Sequence, residues 1–182
     1  MRGDLIERMG RPAPRCTSYP AAPHFRTDVT GDDDAEWLAA LPEGAGVSLY
    51  AHVPFCRQLC RFSNEPATGL YRGAVEAGRL PVARGLPSGG EDRARGDLIV
   101  RLTCDFAVHF DALARRHPGA GAIVGAPPAE ATHLARHEPD GLAVIRGSTL
   151  RVTPRGRPFV RRVASAFDAH LGTGPARHST AA

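Results

Sequence analysis

The amino-acid sequence predicts an α+β fold in which a buried strand precedes a small helical, winged-helix-like domain with a two-stranded hairpin. The run VSLYAHVPF at residues 47–55 is rich in β-branched and aromatic residues and is stopped by Pro54, as in a buried strand. Two β-rich runs flank Gly147-Ser148, a pair typical of a tight hairpin turn. Apolar residues recur every three or four positions in residues 157–171, which predicts a helix with one apolar face.

Local signals predict the remaining helices. An acidic run of Asp32, Asp33 and Asp34 is expected to cap the first helix and to place negative charge at the positive end of its dipole. Ser88 lies three residues before Glu91, which predicts a capping box at the start of a longer helix. Apolar periodicity and terminating residues predict helices over residues 34–41, 70–77, 91–104, 106–113, 128–137 and 157–171.

The apolar periodicity that predicts helices and strands is mostly lost between residues 61 and 90, where short runs rich in glycine and proline occur instead. We therefore place a domain boundary there. The expected divisions are an N-terminal arm with the first strand, a junction and linker, a C-terminal domain, and a disordered polar tail, at residues 1–62, 63–90, 91–171 and 172–182.

Length and composition limit the kind of protein. The 182 residues are 42% hydrophobic and 23% charged, as in a globular chain of one ordinary domain or two small ones. No apolar run reaches the length of a signal peptide core or a membrane span, so a cytoplasmic protein with no membrane partner is expected. Thiols stay reduced in the cytoplasm, so the four cysteines are interpreted as metal ligands or small buried residues rather than disulfides.

Positive charge is concentrated in the second part of the chain. All 23 basic residues are arginine, and residues 61–182 contain 17 of them against 11 acidic residues. Such a surface favours anionic partners by raising their local concentration. Nucleic acid is not the expected partner, because no recognition helix with base-reading side chains is evident. The arginines that cluster at the hairpin and final helix are Arg151, Arg155, Arg157, Arg161 and Arg162.

Cys56 and Cys60 form a Cys-x3-Cys pair directly after the predicted strand. Thiolates in such a loop can bind iron of a 4Fe-4S cluster. A cluster that leaves one iron open for a cofactor needs three thiolates, and the position of the third, three residues later, is Ser63. From the spacing alone, cluster ligation and two ordinary small residues both remain open.

The residues around this pair are more specific than the cysteines. SLYAHVPFCRQLC at residues 48–60 resembles the cluster loop of the radical S-adenosylmethionine family of oxygen-independent coproporphyrinogen III oxidases (dehydrogenases). RPAPRCTSYPAAPHF at residues 11–25 resembles that family's N-terminal arm, and AGRLPVARGL at residues 77–86 resembles the approach to its C-terminal domain. Residues 140–171 resemble its closing hairpin and helix. The resemblance implies that the strand at residues 47–55 is the remnant of a barrel entry strand.

The resemblance also implies a reaction and its cofactors. The family converts two propionate side chains of coproporphyrinogen III to vinyl groups by oxidative decarboxylation, giving protoporphyrinogen IX in haem biosynthesis, with a 4Fe-4S cluster and S-adenosylmethionine. By position, Cys56 and Cys60 match cluster ligands, whereas Tyr50 and Phe62 match residues near S-adenosylmethionine.

The middle of the family pattern is missing from this sequence. Cys60 and Ala77 are separated by 16 residues, whereas a β/α barrel takes about 200 residues or more. We therefore expect an internally truncated chain that is inactive alone and binds neither cofactor. Ser63 then either replaces a cluster cysteine or marks the join. The alternative is a non-catalytic binding module whose basic C-terminal domain holds a porphyrin, a protein partner or nucleic acid.

Overall fold

The chain forms two compact units in a computed structural model. The model describes residues 19–46, 64–120, 132, 133, 135 and 141–172. The major unit comprises Met1–His24 and Ser88–Ala182, and the minor unit comprises Phe25–Pro87. No helix in the described ranges is long and apolar enough to cross a membrane. The strand predicted at residues 47–55 lies outside the described residues.

The minor unit contains helix α1 (Gly31–Ala39). This helix begins three residues before the predicted start, and its N-cap is Thr30 rather than a residue of the acidic run. Thr30 Oγ1 accepts the Asp33 N–H at 3.4 Å, and the Asp33 carboxylate accepts the Thr30 N–H at 2.8 Å. This reciprocal capping box satisfies two backbone donors, whereas the acidic residues lie in the first turn.

Helix α2 (Thr68–Glu76) confirms the helix predicted at residues 70–77, with a start two residues earlier. Two isolated antiparallel bridges, Arg26 with Gly85 and Asn64 with Val82, join the segments around the helices. The close approach at Gly85 requires glycine, because a Cβ there would lie 2.7 Å from Val29 Cγ1. The minor unit is therefore held by short bridges and tight backbone contacts.

The major unit alternates helices with short strands in a winged-helix-like order. The elements are α3 (Gly90–Asp105), β1 (Ala107–His109), α4 (Phe110–Arg116), β2 (Ala143–Arg146), β3 (Thr149–Val152), a 3-10 helix (Arg157–Phe159) and α5 (Val160–Ser165). The strands form an antiparallel sheet in the order β1-β3-β2. Of the helix predicted at residues 128–137, the described residues Thr132, His133 and Ala135 are helical. The α+β class and the hairpin turn at Gly147-Ser148 are confirmed.

The helix predicted from Phe106 is wrong in its first turn. Phe106 adopts the left-handed conformation with φ +56° and ends α3, so the chain turns and β1 pairs with β3. The sheet therefore has three strands rather than two. The Ser88 capping box is also wrong, because Gly89 is the N-cap and its N–H donates to Asp92 Oδ2 at 3.2 Å.

The last helix is shorter than residues 157–171. It starts as a 3-10 helix, continues as α5, and ends at Ser165, whose hydroxyl donates to the Arg162 carbonyl at 2.8 Å. Residues 166–172 are mostly in turns. Phe159, Val163 and Phe167 are nevertheless buried, so the apolar periodicity correctly identified the packed face.

The core of the major unit lies between the sheet, α3, α4 and the C-terminal segment. In α3 the buried residues Ala94, Leu98 and Leu102 recur every four positions, as expected for one face of an amphipathic helix. The rings of Phe110 and Phe167 lie 6.5 Å apart between their centroids. The fully buried large side chains are Phe110, Phe167, Leu98, Leu102, Leu113, Leu142, Leu150, Val108, Val152 and Val163.

Candidate functional site

The four residues predicted to contact the cluster or S-adenosylmethionine lie outside the described residues. Cys56, Cys60, Tyr50 and Phe62 therefore remain predictions. Among the described residues, no group of three or more histidine, cysteine, aspartate or glutamate side chains is placed to hold a metal ion. The described cysteine, Cys104, is an exposed free thiol on α3.

Residues 19–24 of the N-terminal arm belong to the major unit. Tyr19 belongs to the arm motif, and its hydroxyl accepts the Ala169 N–H at 3.2 Å across 150 positions of sequence. Its ring lies 5.7 Å from the ring of His170 and also touches α3, where a Cβ at Gly96 would lie 3.7 Å from it. Tyr19, at the described end of the arm motif, thus packs on α3 and the C-terminal segment.

The ionisation of Tyr19 reflects this docking. Burial raises its pKa from 10.0 to about 12, although the hydrogen bond from the Ala169 N–H works in the opposite direction. The nearby Asp168 and Asp92 charges raise the pKa further, whereas the Arg95 charge lowers it. The Tyr19 hydroxyl therefore stays neutral over the ordinary pH range.

Polar contacts join α3 to the C-terminal segment beside Tyr19. His170 Nε2 lies 3.1 Å from Asp92 Oδ1, and the His24 ring lies 5.5 Å from the His170 ring. Arg95 donates to the Phe167 carbonyl at 2.9 Å and pairs with Glu91 on the same helix. These contacts fix the arm and the C-terminal segment, which is a structural role.

A second polar cluster joins α3 to the end of α4. Asp97 pairs with Arg101 at 2.9 Å, with the Arg116 guanidinium, and with His117 Nε2 at 3.1 Å. Burial raises the pKa of the Asp97 carboxyl, but the hydrogen bonds from His117 and Arg116 and the Arg101 charge outweigh it, so that the net shift is downward. Asp97 is thus held ionised as the centre of a structural ion-pair cluster.

A cavity of about 420 Å³ lies in the minor unit. Its walls come from the start of α1, from α2 and from residues 79–82. Asp32, Glu65 and Arg79 contribute its charged groups, and Leu70 and Ala74 contribute apolar surface. Thr30 contributes a hydroxyl to the lining, but this hydroxyl donates to Asp33 Oδ2 at 2.7 Å within the capping box, so the lining does not form a recognisable catalytic set.

Sequence reasoning did not find the partners of Tyr19 or of Asp97. The arm motif marked Tyr19, but its contact with Ala169 bridges 150 positions, a distance at which periodicity carries no information. The i, i+4 spacing of Asp97 and Arg101 on one helix was a usable signal. The pairing with Arg116 and His117 depends on how α4 packs on α3.

Comparison with known proteins identifies relatives of this chain. No family model matches it. An oxygen-independent coproporphyrinogen III oxidase of Bradyrhizobium diazoefficiens is 36% identical over 138 residues, which cover 76% of this chain and 29% of that protein. The Paracoccus denitrificans protein of the same name is 53% identical over 60 residues, covering 31% of this chain and 13% of the relative.

A solved structure agrees with these relatives. The coproporphyrinogen III oxidase of Escherichia coli, a radical SAM enzyme, superposes with a TM-score of 0.51 at 25% identity over 59% of this chain and 24% of its own. The chain thus spans less than a third of each of these three proteins. The chain is thus similar, over part of its length, to oxygen-independent coproporphyrinogen III oxidases, which is the family that the arm, loop and hairpin motifs predicted.

Proposed function

We propose that this chain is an internally shortened coproporphyrinogen III oxidase homologue that does not convert coproporphyrinogen III to protoporphyrinogen IX on its own. The observation that carries the proposal is the interval of 16 residues between Cys60 and Ala77. Helix α2 takes nine of those residues, whereas a β/α barrel takes about 200 or more. The cofactor-binding strands and the walls of a substrate cavity have no sequence to form them there.

The donor set of the loop supports the same proposal. Cys56 and Cys60 would supply two thiolates to a cluster, and Tyr50 and Phe62 would flank S-adenosylmethionine. The third position carries Ser63, whose neutral hydroxyl is a poor replacement for a thiolate. When bound in an enzyme, these cofactors supply the radical chemistry, while the protein positions and shields the reacting groups. This donor set does not fit three-thiolate ligation, and we derive no catalytic step through the group.

The proposal also covers the cellular compartment of the chain and the identity of its C-terminal domain. A reducing cytoplasm is the expected compartment, because the thiols of a cluster loop remain available there. Residues 91–171 are the part that we assign to the family's C-terminal domain. Their tightly packed core supports a folded remnant rather than an unfolded fragment.

Anaerobic reconstitution tests the proposal. The purified chain is incubated with iron, sulfide and a reductant and examined by electron paramagnetic resonance. S-adenosylmethionine and coproporphyrinogen III are then added, and 5′-deoxyadenosine and protoporphyrinogen IX are assayed. The Bradyrhizobium diazoefficiens relative serves as the positive control, and the Cys56→Ala/Cys60→Ala variant measures iron held elsewhere. We expect no products and no 4Fe-4S signal above that of the variant. Turnover of coproporphyrinogen III by the unaltered chain would refute the proposal.

A further inference from the structure

The three-stranded sheet of the major unit has one buried face and one solvent-facing face. Leu150 is paired with Val108 on one side and with Ile145 on the other, and these three side chains face the core. Because neighbouring residues of a strand point to opposite faces, the intervening residues form the other face. This outer sheet face consists of Ala107, His109, Val144, Arg146, Thr149 and Arg151.

The outer sheet face carries cations without carboxylates. Arg146 and Arg151 are exposed, and within the described part of the chain neither forms an ion pair with an acidic residue. Arg146 is paired with Thr149 on the neighbouring strand, and Arg151 lies two positions beyond Thr149. Arg151 is therefore the diagonal neighbour of Arg146, and the backbone positions of such neighbours are about 7–8 Å apart. The two arginines therefore project from neighbouring strands on the same face, and neither is neutralised by a described acidic residue.

Further groups define the ends of this face. Thr149 Oγ1 lies 2.9 Å from His109 Nδ1, which holds the imidazole on the same face as the arginines. Beyond Ala107, the exposed Arg157 guanidinium lies 4.8 Å above the ring of Phe106. At the hairpin turn, the Asp111 carboxylate accepts a hydrogen bond from the Ser148 hydroxyl at 2.5 Å. The negative charge thus lies at the turn, outside the outer sheet face.

We propose that, contrary to the expectation from the sequence, the outer sheet face binds duplex DNA through the sugar–phosphate backbone, which needs no base-reading helix. Arginine guanidinium groups match phosphate oxygens in geometry and charge. Unpaired arginines on neighbouring strands can engage successive phosphates without reading the bases, so the expected binding is independent of sequence. The winged-helix-like topology is not itself the argument, because a fold does not determine a function.

The shape of the face selects this ligand among anions. A single small phosphate compound needs a concave site, whereas the outer sheet face is open. Stable attachment to a membrane surface usually combines several basic residues with large apolar side chains that insert, and this face offers two arginines with only Ala107 and Val144. Single-stranded nucleic acid is usually held by stacking on aromatic rings, and the face contains no phenylalanine, tyrosine or tryptophan. Among these anionic ligands, duplex DNA, with its regular array of phosphates, is the one that fits an open basic face best.

Fluorescence anisotropy of the full chain with a short fluorescein-labelled DNA duplex tests the proposal across a range of salt concentrations. The Arg146→Ala/Arg151→Ala variant removes two charges from the outer sheet face. The Arg72→Ala/Arg79→Ala variant removes two exposed arginines of the minor unit and serves as the charge-matched control. Far-UV circular dichroism establishes that both variants retain the fold.

The expected result is saturable binding that weakens with salt. The outer-face variant should bind about tenfold or more weakly, and the slope of log K against log salt should fall by about two. The control variant should keep the slope of the unaltered chain. The proposal fails if the unaltered chain does not bind the duplex at low salt, or if both variants lose the same affinity. Preferential binding to anionic lipid vesicles or to single-stranded DNA would also overturn it.

Discussion

Gly156 is the position where a single methyl group should damage the major unit most. Its backbone has φ −80° and ψ −18°, which any residue can adopt, so a substitution there tests packing alone. A Cβ at this position would lie 2.0 Å from the Leu142 carbonyl oxygen and 2.8 Å from the carbonyl carbon. An ordinary contact begins at 3.4 Å, so the backbone would have to move by about 1.4 Å.

That movement would disturb a connected set of hydrogen bonds. The Leu142 carbonyl accepts the Thr153 N–H at 2.9 Å and the Thr153 hydroxyl at 3.2 Å. The Gly156 N–H in turn donates to the Thr153 carbonyl at 2.9 Å. Overpacking costs about 1–3 kcal/mol and a lost hydrogen bond about 1 kcal/mol, so Gly156→Ala should lower the free energy of unfolding by about 3 kcal/mol.

Urea unfolding followed by far-UV circular dichroism measures this loss. Fluorescence would be misleading, because the single tryptophan, Trp37, lies in the minor unit. Gly90→Ala is the matched control in the major unit, because Gly90 is the first residue of α3 and a Cβ there meets nothing within 4 Å. The control should be unchanged or more stable by about 0.5 kcal/mol. A Gly156→Ala protein as stable as the control would refute the proposed close approach.

Three further predictions concern single side chains. Tyr19→Phe should lower the free energy of unfolding by about 1 kcal/mol through loss of the Ala169 hydrogen bond, whereas the same change at exposed Tyr71 should have no effect. Because the folded pKa of Tyr19 is raised from 10.0 to about 12, the unaltered protein should lose stability between these pH values in urea titrations, and Tyr19→Phe should lose less. Asp97→Asn should lower the free energy of unfolding by about 1–2 kcal/mol at neutral pH, as measured by thermal or urea unfolding. The control Asp105→Asn, which removes a more exposed ion pair, should change it little. Since the folded pKa of Asp97 is lowered from 3.8, its contribution is present above that pH and should vanish as the pH falls through the folded value; an Asp97→Asn difference that persists in strong acid would contradict this. Ser63→Cys should not restore 5′-deoxyadenosine formation, because a third thiolate does not replace the missing barrel.

The elements that could be predicted from sequence are those specified by local chemistry. The hairpin at Gly147-Ser148 and helix α3 have turn residues and apolar periodicity within a few positions, and both were predicted correctly. Strand β1 was not predicted, because its three residues are too few for a period and its pairing with β3 is set by the φ of +56° at Phe106. A left-handed phenylalanine has no local signal. It is tolerated where its ring packs against the core beneath Arg157.

The features of the candidate site also fall into those that local sequence predicts and those that depend on tertiary packing. The motif around Cys56 and Cys60 predicted a resemblance to oxygen-independent coproporphyrinogen III oxidases, and relatives of this chain carry that name, whereas the positions of the ligands remain a prediction. The docking of Tyr19 and the cluster around Asp97 depend on tertiary packing across long sequence separations. Such contacts follow from which helix packs on which, and neither composition nor spacing encodes that directly.

The two units differ in how far their large apolar side chains are buried, and this difference bears on the proposed shortening. In the major unit the largest apolar side chains are fully buried. In the described part of the minor unit, seven large apolar side chains on and around α1 and α2 are between 38% and 63% exposed, and α1 buries none of its residues. Trp37 and Tyr71 are among them at 44% and 43% exposure, so covering the remaining exposed part of each ring would contribute about 1 kcal/mol. A packed layer over these helices would recover that energy, and a barrel of the kind found in the family could supply one. The exposure of these helices thus supports the internal shortening that we propose.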